Sequence, residues 1–217
     1  AMNTAMFENQ ITQNNIAKLK EYGIDVIEPQ SGLLACGDTG TGKMPEPGYL
    51  FDVIEREIAR EKDMLGKKVL VTAGATMEAL DPVRFLTNHS SGKMGFAIAK
   101  EAMLRGAEVT VVKANTTAEI PNFVNVVEVS SAGDMFNAVK AVSNQQDIIV
   151  KAAAVADYTP ESYVDSKIKK KDGDLSIALK RTKDILKYLG ENKKEGQFLC
   201  GFSMETDNML KNSKAKL

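Results

Sequence analysis

Short apolar runs alternate with amphipathic segments from residue 67 to the end of the chain, a rhythm typical of a doubly wound α/β domain. Apolar residues at helical spacing predict helices over 94–104, 132–142 and 183–190. The apolar runs between them predict strands over 69–72, 108–112, 124–129, 147–150 and 198–202. Strands that alternate with helices join through right-handed crossovers into a parallel sheet. We therefore expect a mostly parallel, Rossmann-like sheet with strand order 3-2-1-4-5 and ligands at the carboxyl ends of the strands.

The residues before position 67 follow a different pattern and predict a small α/β remnant with a linker helix. Apolar residues at helical spacing over 11–22 predict a helix that ends at Gly23, and residues 24–27 predict a short strand. Residues 32–48 are rich in glycine and predict a loop, whereas residues 50–64 predict a charged helix. The expected parts are a remnant over 1–49, a linker helix over 50–66 and the larger domain over 67–217.

The overall composition is that of an ordinary globular domain. The 28 basic and 29 acidic residues give a net charge of −1, which gives no support to a nucleic-acid binder that works by overall charge. No apolar run of about 18 residues is present, so no membrane span is expected. Two cysteines do not make a disulfide framework and predict a reduced, cytoplasmic protein. A single histidine excludes a multi-histidine metal centre.

The charge is unevenly distributed along the chain. Residues 1–66 contain 6 basic and 11 acidic side chains, and residues 67–217 contain 22 and 18. The larger predicted domain therefore carries the net positive charge, and an anionic small ligand is expected there rather than in the remnant.

Residues 37–43 imitate the phosphate-binding loop of nucleotide hydrolases. Their glycines and lysine match the first seven positions of that motif, but Met44 stands where the loop needs a hydroxyl group for Mg²⁺. Pro45 and Pro47 stand where the phosphate-binding helix should run. We therefore reject a nucleotide hydrolase loop here.

The first crossover carries a candidate anion site in place of the usual dinucleotide turn. The strand over 69–72 is followed by Gly74 but not by the G-x-G-x-x-G fingerprint, and a long loop leads to Ser90, Ser91 and Gly92 before the next helix. Hydroxyl groups and backbone amides at a helix start can bind an anion. The same residues can equally form an ordinary serine N-cap, and spacing alone leaves both interpretations open.

Residues 167–171, KIKKK, form the only charge run. Such a run is usually a solvated face. Asp172 and Gly173 directly after it mark a turn, which suits a mobile flap that places an ammonium group on phosphate oxygens. Both interpretations stay open at this point.

Three segments in the correct order resemble the phosphopantothenate–cysteine ligase (phosphopantothenoylcysteine synthetase) family. Residues 71–95 read VTAGATMEALDPVRFLTNHSSGKMG and resemble the signature loop of that family. Residues 152–158, AAAVADY, and 167–170, KIKK, resemble its second and third motifs. The resemblance extends over about residues 67–217, and its motifs are highly specific.

The upstream piece resembles the end of the flavin-dependent phosphopantothenoylcysteine decarboxylase, the partner enzyme in the bifunctional bacterial protein. Residues 1–6, AMNTAM, match its P-x-M-N-x-x-M motif without the leading proline, and residues 35–44, ACGDTGTGKM, match its substrate-clamp loop. By this resemblance Asn3 binds substrate and Cys36 donates a proton in the whole decarboxylase. FMN belongs to the missing half of that domain, so neither FMN binding nor decarboxylase activity is expected of this chain.

The resemblance implies a two-step ligation of coenzyme A biosynthesis with CTP, 4′-phosphopantothenate and cysteine as substrates. The carboxylate of 4′-phosphopantothenate attacks the α-phosphate of CTP and gives an acyl-cytidylate and pyrophosphate. The amine of cysteine then displaces CMP and forms the amide of 4′-phosphopantothenoylcysteine. The resemblance also implies Mg²⁺ that accompanies CTP, and a homodimer. From the composition we expect no metal site made by the protein alone and no nucleic-acid or membrane partner.

The resemblance also implies roles for individual residues. Asn88 handles the acyl-cytidylate, Arg84 acts in the cysteine-dependent step or in positioning, and Lys167 contacts the triphosphate. Ala154 and Asp157 fall where the cytosine and ribose are held. The implied nucleotide-binding set is Gly74, Ser90, Ser91, Gly92, Ala153, Ala154, Asp157, Lys167, Arg181, Thr182, Lys183, Asp184, Phe202 and Lys216.

Two alternatives to an active ligase stay open. The chain stops at Leu217, before the last basic-Asn-Asp segment of the ligase family, so we expect part of the CTP site and the final strand to be missing. A non-catalytic nucleotide-binding module inactivated by truncation is one alternative. The other is an NAD(P)-binding oxidoreductase, which needs an acidic residue after the second strand, where Lys113, Ala114 and Asn115 offer none.

Overall fold

A computed structural model describes residues 1–170, 174–204 and 207–208 of the chain. The chain divides into two compact units, Ala1–Ile58 and Ala59–Leu217. Among the residues just given, every helix is too short or too polar to cross a lipid bilayer.

The first unit consists of three helices and one antiparallel hairpin. Its elements are α1 (Thr4–Glu8), α2 (Gln10–Glu21), β1 (Gln30–Leu33), β2 (Thr39–Lys43) and α3 (Pro47–Ile58). The helix predicted over 11–22 is confirmed as α2. The strand predicted over 24–27 is wrong, because no strand forms there and Ile24 and Ile27 are exposed. The hairpin of this unit runs over residues 30–43 instead and includes much of the predicted glycine-rich loop.

The hairpin explains why residues 37–43 are not a phosphate-binding loop. β2 pairs with β1 and does not turn directly into a helix. Gly42, at φ +146°, lies against the N-terminal segment: its carbonyl oxygen accepts the Met2 N–H at 2.9 Å, and a Cβ at Gly42 would lie 2.0 Å from the Met2 oxygen. Pro47 is the first residue of α3, a position at which proline is tolerated. The rejection of a nucleotide hydrolase loop is therefore confirmed.

The second unit alternates strands with helices as predicted. Its elements are β3 (Lys68–Ala73), β4 (Met77–Ala79), β5 (Phe85–Thr87), α4 (Lys93–Leu104), β6 (Glu108–Lys113), β7 (Asn125–Glu128), α5 (Ala132–Ser143), β8 (Ile148–Lys151), β9 (Tyr158–Pro160), β10 (Leu179–Arg181), α6 (Ile185–Glu191) and β11 (Phe198–Gly201). Within the described residues, five of these strands form one parallel sheet in the order β7-β6-β3-β8-β11. The predicted α/β class and the strand order 3-2-1-4-5 are confirmed.

The helix predicted over 50–64 ends earlier than expected, at Ile58. The charged residues that follow are held against the last turn of α4 and the residue after it, in place of a further helical turn. Their hydrogen bonds run from Arg60 Nε to Glu101 at 2.7 Å, from Lys62 Nζ to the Leu104 carbonyl oxygen at 2.8 Å, and from Arg105 Nε to Asp63 at 2.7 Å.

Two apolar clusters cover the two faces of the sheet. One packs α4 against β3 and β6 and includes Val71, Phe96 and Val111. The other packs α5 and α6 against the opposite face and includes Leu70 and Met135. Because helices cover both faces of the sheet, we expect a ligand to bind at the carboxyl ends of the strands. We call this end of the sheet its carboxyl edge.

Two short antiparallel pairs extend this frame. β4 pairs with β5 inside the first crossover, and β9 pairs with β10. The lysine run lies between β9 and β10, an arrangement that suits a hairpin-like flap, and we call residues 161–170 the flap segment. The predicted turn at Asp172 and Gly173, together with Lys171, lies outside the described residues.

Candidate functional site

The carboxyl ends of the three central strands are joined by backbone hydrogen bonds just beyond the sheet. The Ala75 N–H donates to the Asn115 carbonyl oxygen at 2.9 Å, and the Asn115 N–H donates back to Ala75 at 3.0 Å. The Ala154 N–H donates to the Gly74 carbonyl oxygen at 2.8 Å. These bonds bring Gly74 and Ala154, two residues of the predicted nucleotide-binding set, into direct contact.

Two buried glycines allow the start of α4 to approach this edge closely. Gly74 and Gly92 have φ values of +83° and +78°. A Cβ at Gly74 would lie 2.4 Å from the Asn115 backbone oxygen, and a Cβ at Gly92 would lie 3.3 Å from the Gly74 nitrogen. A Cβ at Gly92 would also lie 2.5 Å from the Thr116 hydroxyl oxygen, so glycine, which adopts positive φ values freely, suits both positions.

The first turn of α4 begins without a conventional cap. Gly92 is the N-cap residue, and among the described residues no side chain forms a capping hydrogen bond there. The Ser90 and Ser91 hydroxyl oxygens accept backbone N–H groups only at 3.4 Å each. A serine N-cap, one of the two interpretations left open by the sequence, is therefore not what forms here. Lys93 and Met94 in this first turn are exposed, and the N–H groups at a helix start can bind an anion.

Gly95 and Thr116 support this helix start and were missed by the sequence analysis. A Cβ at Gly95 would lie 2.7 Å from the Ala73 Cβ, so glycine lets α4 pack directly on β3. The Thr116 hydroxyl donates to the Ser91 carbonyl oxygen at 2.6 Å. Gly95, three residues after Gly92, was a visible signal of close helix–strand packing. Thr116 lay in a loop with no recognisable pattern.

Asn88 joins the first crossover loop to the alanine run after β8. Its side-chain Nδ2 donates to the Ala154 carbonyl oxygen at 3.5 Å and to the Val155 carbonyl oxygen at 3.3 Å. The neighbouring Thr87 hydroxyl donates to the Thr76 carbonyl oxygen at 2.8 Å, which fixes the end of β5. The Asn88 side chain is exposed, so its amide is accessible to a ligand at this edge.

Two threonines place Asp157 and Thr182 side by side. The buried Thr76 hydroxyl oxygen accepts the Ala156 N–H at 2.9 Å, and the Thr182 hydroxyl donates to the Ala156 carbonyl oxygen at 2.7 Å. The Thr182 N–H also donates to the Asp157 carbonyl oxygen at 2.9 Å. Asp157 therefore ends the alanine run with an exposed carboxylate beside the entry to α6.

Lys183 and Asp184 open α6 with opposite charges. The Asp184 carboxylate caps the helix by accepting the Lys187 N–H at 2.9 Å. The Lys183 ammonium group lies 4.9 Å from the centroid of the Phe136 ring, a cation–π distance. Both side chains are exposed at the rim of the site.

Lys151, the last residue of β8, is a half-buried cation that the sequence analysis missed. Burial of its ammonium group lowers its pKa to about 8, and the negative charge of Asp184 only partly opposes this effect. The sequence did contain a signal for this buried cation, because a lysine stands at the end of an otherwise apolar strand. It lies on the same side of the strand as Ile149, facing α5 and α6.

Arg84 and the flap segment meet at Asp81. The Arg84 side chain donates to the buried Asp81 carboxylate, with Nη2 at 2.8 Å, and also to the carbonyl oxygen of Ile168. The Ile168 N–H donates to the same carboxylate at 3.0 Å. Lys167 is exposed and directly precedes Ile168 in the chain. The bonds of Ile168 therefore place Lys167 near Arg84.

Arg181 and Phe202, two further residues of the predicted nucleotide-binding set, are exposed next to this site. Arg181 is the exposed last residue of β10, and Phe202 follows β11 with 53% of its surface exposed. Gly201 pairs with Lys151, so Phe202 leaves the sheet next to the alanine run. Lys216 lies outside the described residues.

The donor set of this edge does not fit a metal centre made by the protein alone. No group of three or more His, Cys, Asp or Glu side chains among the described residues could hold a metal ion. The charged groups at the edge are chiefly cations, among them Arg84, Lys151, Lys167 and Lys183. This balance suits a polyanionic ligand.

In the first unit, the two decarboxylase-like residues lie at opposite ends of the hairpin. The Asn3 side chain caps α1 by accepting the Met6 N–H at 2.8 Å, next to Gly42. Cys36 lies in the turn between β1 and β2, 3.6 Å from an Asp38 carboxylate oxygen. Residues 1–58 contain no parallel strand-to-helix turn that could hold a flavin phosphate, so these residues alone do not fit FMN.

Comparison with known proteins matches both units to families. The family described as DNA/pantothenate metabolism flavoprotein C-terminal domain matches residues 64–217, and the flavoprotein family matches residues 1–59. The coenzyme A biosynthesis bifunctional protein CoaBC of Bacillus subtilis is 44% identical over the whole chain, which covers 54% of that protein. A cysteine/cysteine sulfinic acid decarboxylase from an unknown prokaryotic organism is 42% identical, with 62% of its length covered.

A solved structure agrees with these matches. The crystal structure of a C-terminal domain of CoaBC is 46% identical, with a TM-score of 0.62, and the alignment covers 71% of this chain and 72% of that one. The chain spans about half the length of the Bacillus relative.

Proposed function

The chain belongs to the DNA/pantothenate metabolism flavoprotein C-terminal domain family, and we propose that its second unit is a CTP-dependent phosphopantothenate–cysteine ligase. The proposed product is 4′-phosphopantothenoylcysteine, an amide of coenzyme A biosynthesis. The observation that carries this proposal is the contact of the Asn88 side-chain amide with the carbonyl oxygens of Ala154 and Val155. That contact unites two of the three ligase motifs at the carboxyl edge of the sheet.

The first proposed step is attack of the 4′-phosphopantothenate carboxylate on the α-phosphorus of CTP. A bond forms between a carboxylate oxygen and the α-phosphorus, and the bond from the α-phosphorus to the bridging oxygen breaks, so pyrophosphate leaves. Attack between two anions needs charge neutralisation and positioning. The amides at the start of α4, beside Gly74 and Gly92, and the Lys167 ammonium group are the proposed sources of both.

The second proposed step is attack of the cysteine amine on the acyl carbon. The new C–N bond replaces the bond from the acyl carbon to the phosphate oxygen, CMP leaves with that oxygen, and the amine loses a proton. Asn88 is the proposed contact to the intermediate, because a neutral amide donates a hydrogen bond without excluding an anion. Arg84 is proposed to act in this second step or in positioning the substrates.

The nucleoside is proposed to lie along the alanine run and the entry to α6. Backbone groups of Ala153 and Ala154 offer donors and acceptors to a base, and the Asp157 carboxylate suits ribose hydroxyl groups. Arg181, Thr182, Lys183, Asp184 and Phe202 are the proposed rim of this subsite, and Lys216 is a proposed triphosphate contact. Mg²⁺ is proposed to enter with CTP.

Pyrophosphate release tests the proposal. The chain should release pyrophosphate from CTP when 4′-phosphopantothenate and Mg²⁺ are present, and it should release CMP when cysteine is added. Protection from thermal unfolding by CTP without pyrophosphate release would instead support a non-catalytic nucleotide-binding module. Protection by NADP but not by CTP would contradict the ligase and favour an oxidoreductase.

Several finer expectations accompany this proposal. Residues 1–59 match the flavoprotein family, and the two relatives above carry different names. The homodimer implied by the resemblance and the cytoplasmic location expected from the cysteines stay predictions. No decarboxylase activity is proposed for this chain.

A further inference from the structure

The flap segment is held to the first crossover loop at two places. The Val164 N–H donates to the Leu80 carbonyl oxygen at 3.1 Å, a bond between backbones. The second place is Ile168, whose N–H donates to the Asp81 carboxylate and whose carbonyl oxygen accepts the Arg84 guanidinium group. Only the second attachment depends on side chains, so substitution can break it selectively.

The two carboxylate oxygens of Asp81 have separate partners. Oδ1 accepts the N–H groups of Val83 and Arg84, each at 2.8 Å, and so closes a local turn of the crossover loop. Oδ2 accepts the Ile168 N–H at 3.0 Å and Arg84 Nε at 3.1 Å. One oxygen therefore shapes the loop, and the other binds the flap segment and orients Arg84.

The Asp81 carboxylate is fully removed from solvent, unlike the surface ion pairs of the chain. Its hydrogen bonds hold its pKa at about 2, with the Ile168 N–H the largest contributor. The carboxylate is therefore ionised throughout the neutral range, and the attachment is present at physiological pH.

We propose that Asp81 is a positioning residue that fixes the flap segment beside the Asn88-bearing loop, so that Lys167 and Arg84 meet the bound nucleotide and acyl group together. This inference rests on the proposed ligase function. Lys167 is adjacent to Ile168, and Asn88 is four residues after Arg84. Because the Asp81 carboxylate binds both Ile168 and Arg84, it links the flap segment to the loop that carries Asn88. Without it, the flap segment would have to be ordered when CTP binds, at a cost in apparent affinity.

Asp81→Asn is the appropriate test variant, because Asn retains an oxygen for the Val83 and Arg84 amides. It replaces Oδ2 by an NH₂ group that faces another donor, the Ile168 N–H, and it removes the charge that holds Arg84. Asp134→Asn is the matched control, since Asp134 is a carboxylate that also accepts a backbone N–H, from Ser131 at 2.9 Å, away from the flap segment. Urea unfolding of both variants verifies that they fold.

Limited trypsin digestion of the ligand-free chain reports the attachment directly. We expect Asp81→Asn to raise cleavage after Lys167, Lys169 and Lys170 about tenfold relative to cleavage after Lys193, because a released segment reaches an open state more often. Asp134→Asn should leave that ratio unchanged. Equal ratios in the two variants would overturn the proposal, whether or not the chain is a ligase.

Pyrophosphate release then reports positioning. We expect Asp81→Asn to raise the KM for CTP about tenfold and to change kcat less than about threefold. Ile168→Pro removes the N–H that donates to Asp81, so it breaks the same hydrogen bond and should raise KM by a similar factor. In the double variant the two effects on KM should not add. An unchanged KM or full additivity would overturn the proposal. If the unmodified chain released no pyrophosphate, the ligase function would fail, whereas the digestion would still decide whether Asp81 holds the flap segment.

Discussion

The side-chain amide of Asn88 donates to the Ala154 carbonyl oxygen across 66 residues of sequence, at 3.5 Å, and to Val155 at 3.3 Å. This contact connects the loop before α4 to the alanine run after β8. The bonds are long and exposed, so they position Asn88 without burying it. A ligand that enters between the two loops would therefore meet the Asn88 amide.

Asn88→Asp should separate the two half-reactions. The carboxylate cannot donate to the Ala154 and Val155 carbonyl oxygens, and it repels an anionic intermediate. Pyrophosphate release without cysteine should persist within a few-fold, whereas cysteine-dependent CMP release should slow by at least about tenfold. Rapid quenching with labelled CTP measures both, and Asn125→Asp on the exposed strand β7 is the control. An unchanged overall rate would remove Asn88 from the mechanism.

Gly74→Ala should destabilise the second unit far more than Gly66→Ala. Both glycines have similar positive φ values, +83° and +77°, so the conformational cost of alanine is comparable. A Cβ at Gly66 meets nothing within 4 Å, whereas one at Gly74 would lie 2.4 Å from the Asn115 oxygen. We expect about 1 kcal/mol for Gly66→Ala and at least about 1–3 kcal/mol more for Gly74→Ala. Urea unfolding measures the difference, and equal losses would show that the strand ends are not in contact.

Thr76→Val should cost stability and loosen the nucleotide subsite. The valine has nearly the same volume, but the buried Ala156 N–H loses its acceptor, at a cost of about 1–3 kcal/mol. Because Ala156 precedes Asp157, CTP should also bind more weakly. Thr76→Ser retains the hydroxyl group and should recover most of the loss in calorimetry and urea unfolding. If valine and serine behaved alike, the hydroxyl group would have no such role.

Lys151→Met should stabilise the protein at neutral pH. The pKa of Lys151 is about 8 in the folded chain and about 10.4 when unfolded, so below about pH 8 the charged amine opposes folding. Above that pH the amine loses its proton in the folded chain but keeps it in the unfolded chain. The destabilisation by Lys151 therefore decreases as the pH approaches about 10. We expect a gain of about 1–2 kcal/mol at neutral pH, reduced by partial exposure, that shrinks at alkaline pH.

Urea unfolding across this pH range checks the prediction, with Lys183→Met on the exposed rim as the control. The prediction would be contradicted if the free energy of unfolding of Lys151→Met differed from that of the unmodified chain by the same amount at every pH. That result would mean that burial does not lower the pKa of Lys151. If Lys151 also neutralises the nucleotide, the stabilised variant should bind CTP less tightly.

The sheet could be predicted because its strands are apolar and its helices have regular spacing. Val69, Val111 and Ile149 pack in the two clusters, as the apolar pattern predicts, and the rules for doubly wound folds predict the order of their strands. The first-unit hairpin could not be predicted, because its residues are mostly polar and glycine-rich, and its Gly40 and Gly42 lie close to Thr4 and Met2, far away in the sequence. In the candidate site, the family motifs pointed to Asn88 and Gly92, and both residues lie at the carboxyl ends of the strands. The attachment of Ile168 to Asp81 spans 87 residues, and no local pattern encodes it.

If the second unit joins 4′-phosphopantothenate to cysteine through an acyl-cytidylate, as proposed, an oxygen atom of the substrate carboxylate must pass to CMP. The chain is incubated with CTP, Mg²⁺, cysteine and 4′-phosphopantothenate whose carboxylate carries heavy oxygen, and the released CMP is analysed by mass spectrometry. We expect one heavy oxygen atom in CMP for each amide formed, because that oxygen bridges carbon and phosphorus in the intermediate. Amide formation with unlabelled CMP, or CMP release without amide, would contradict it.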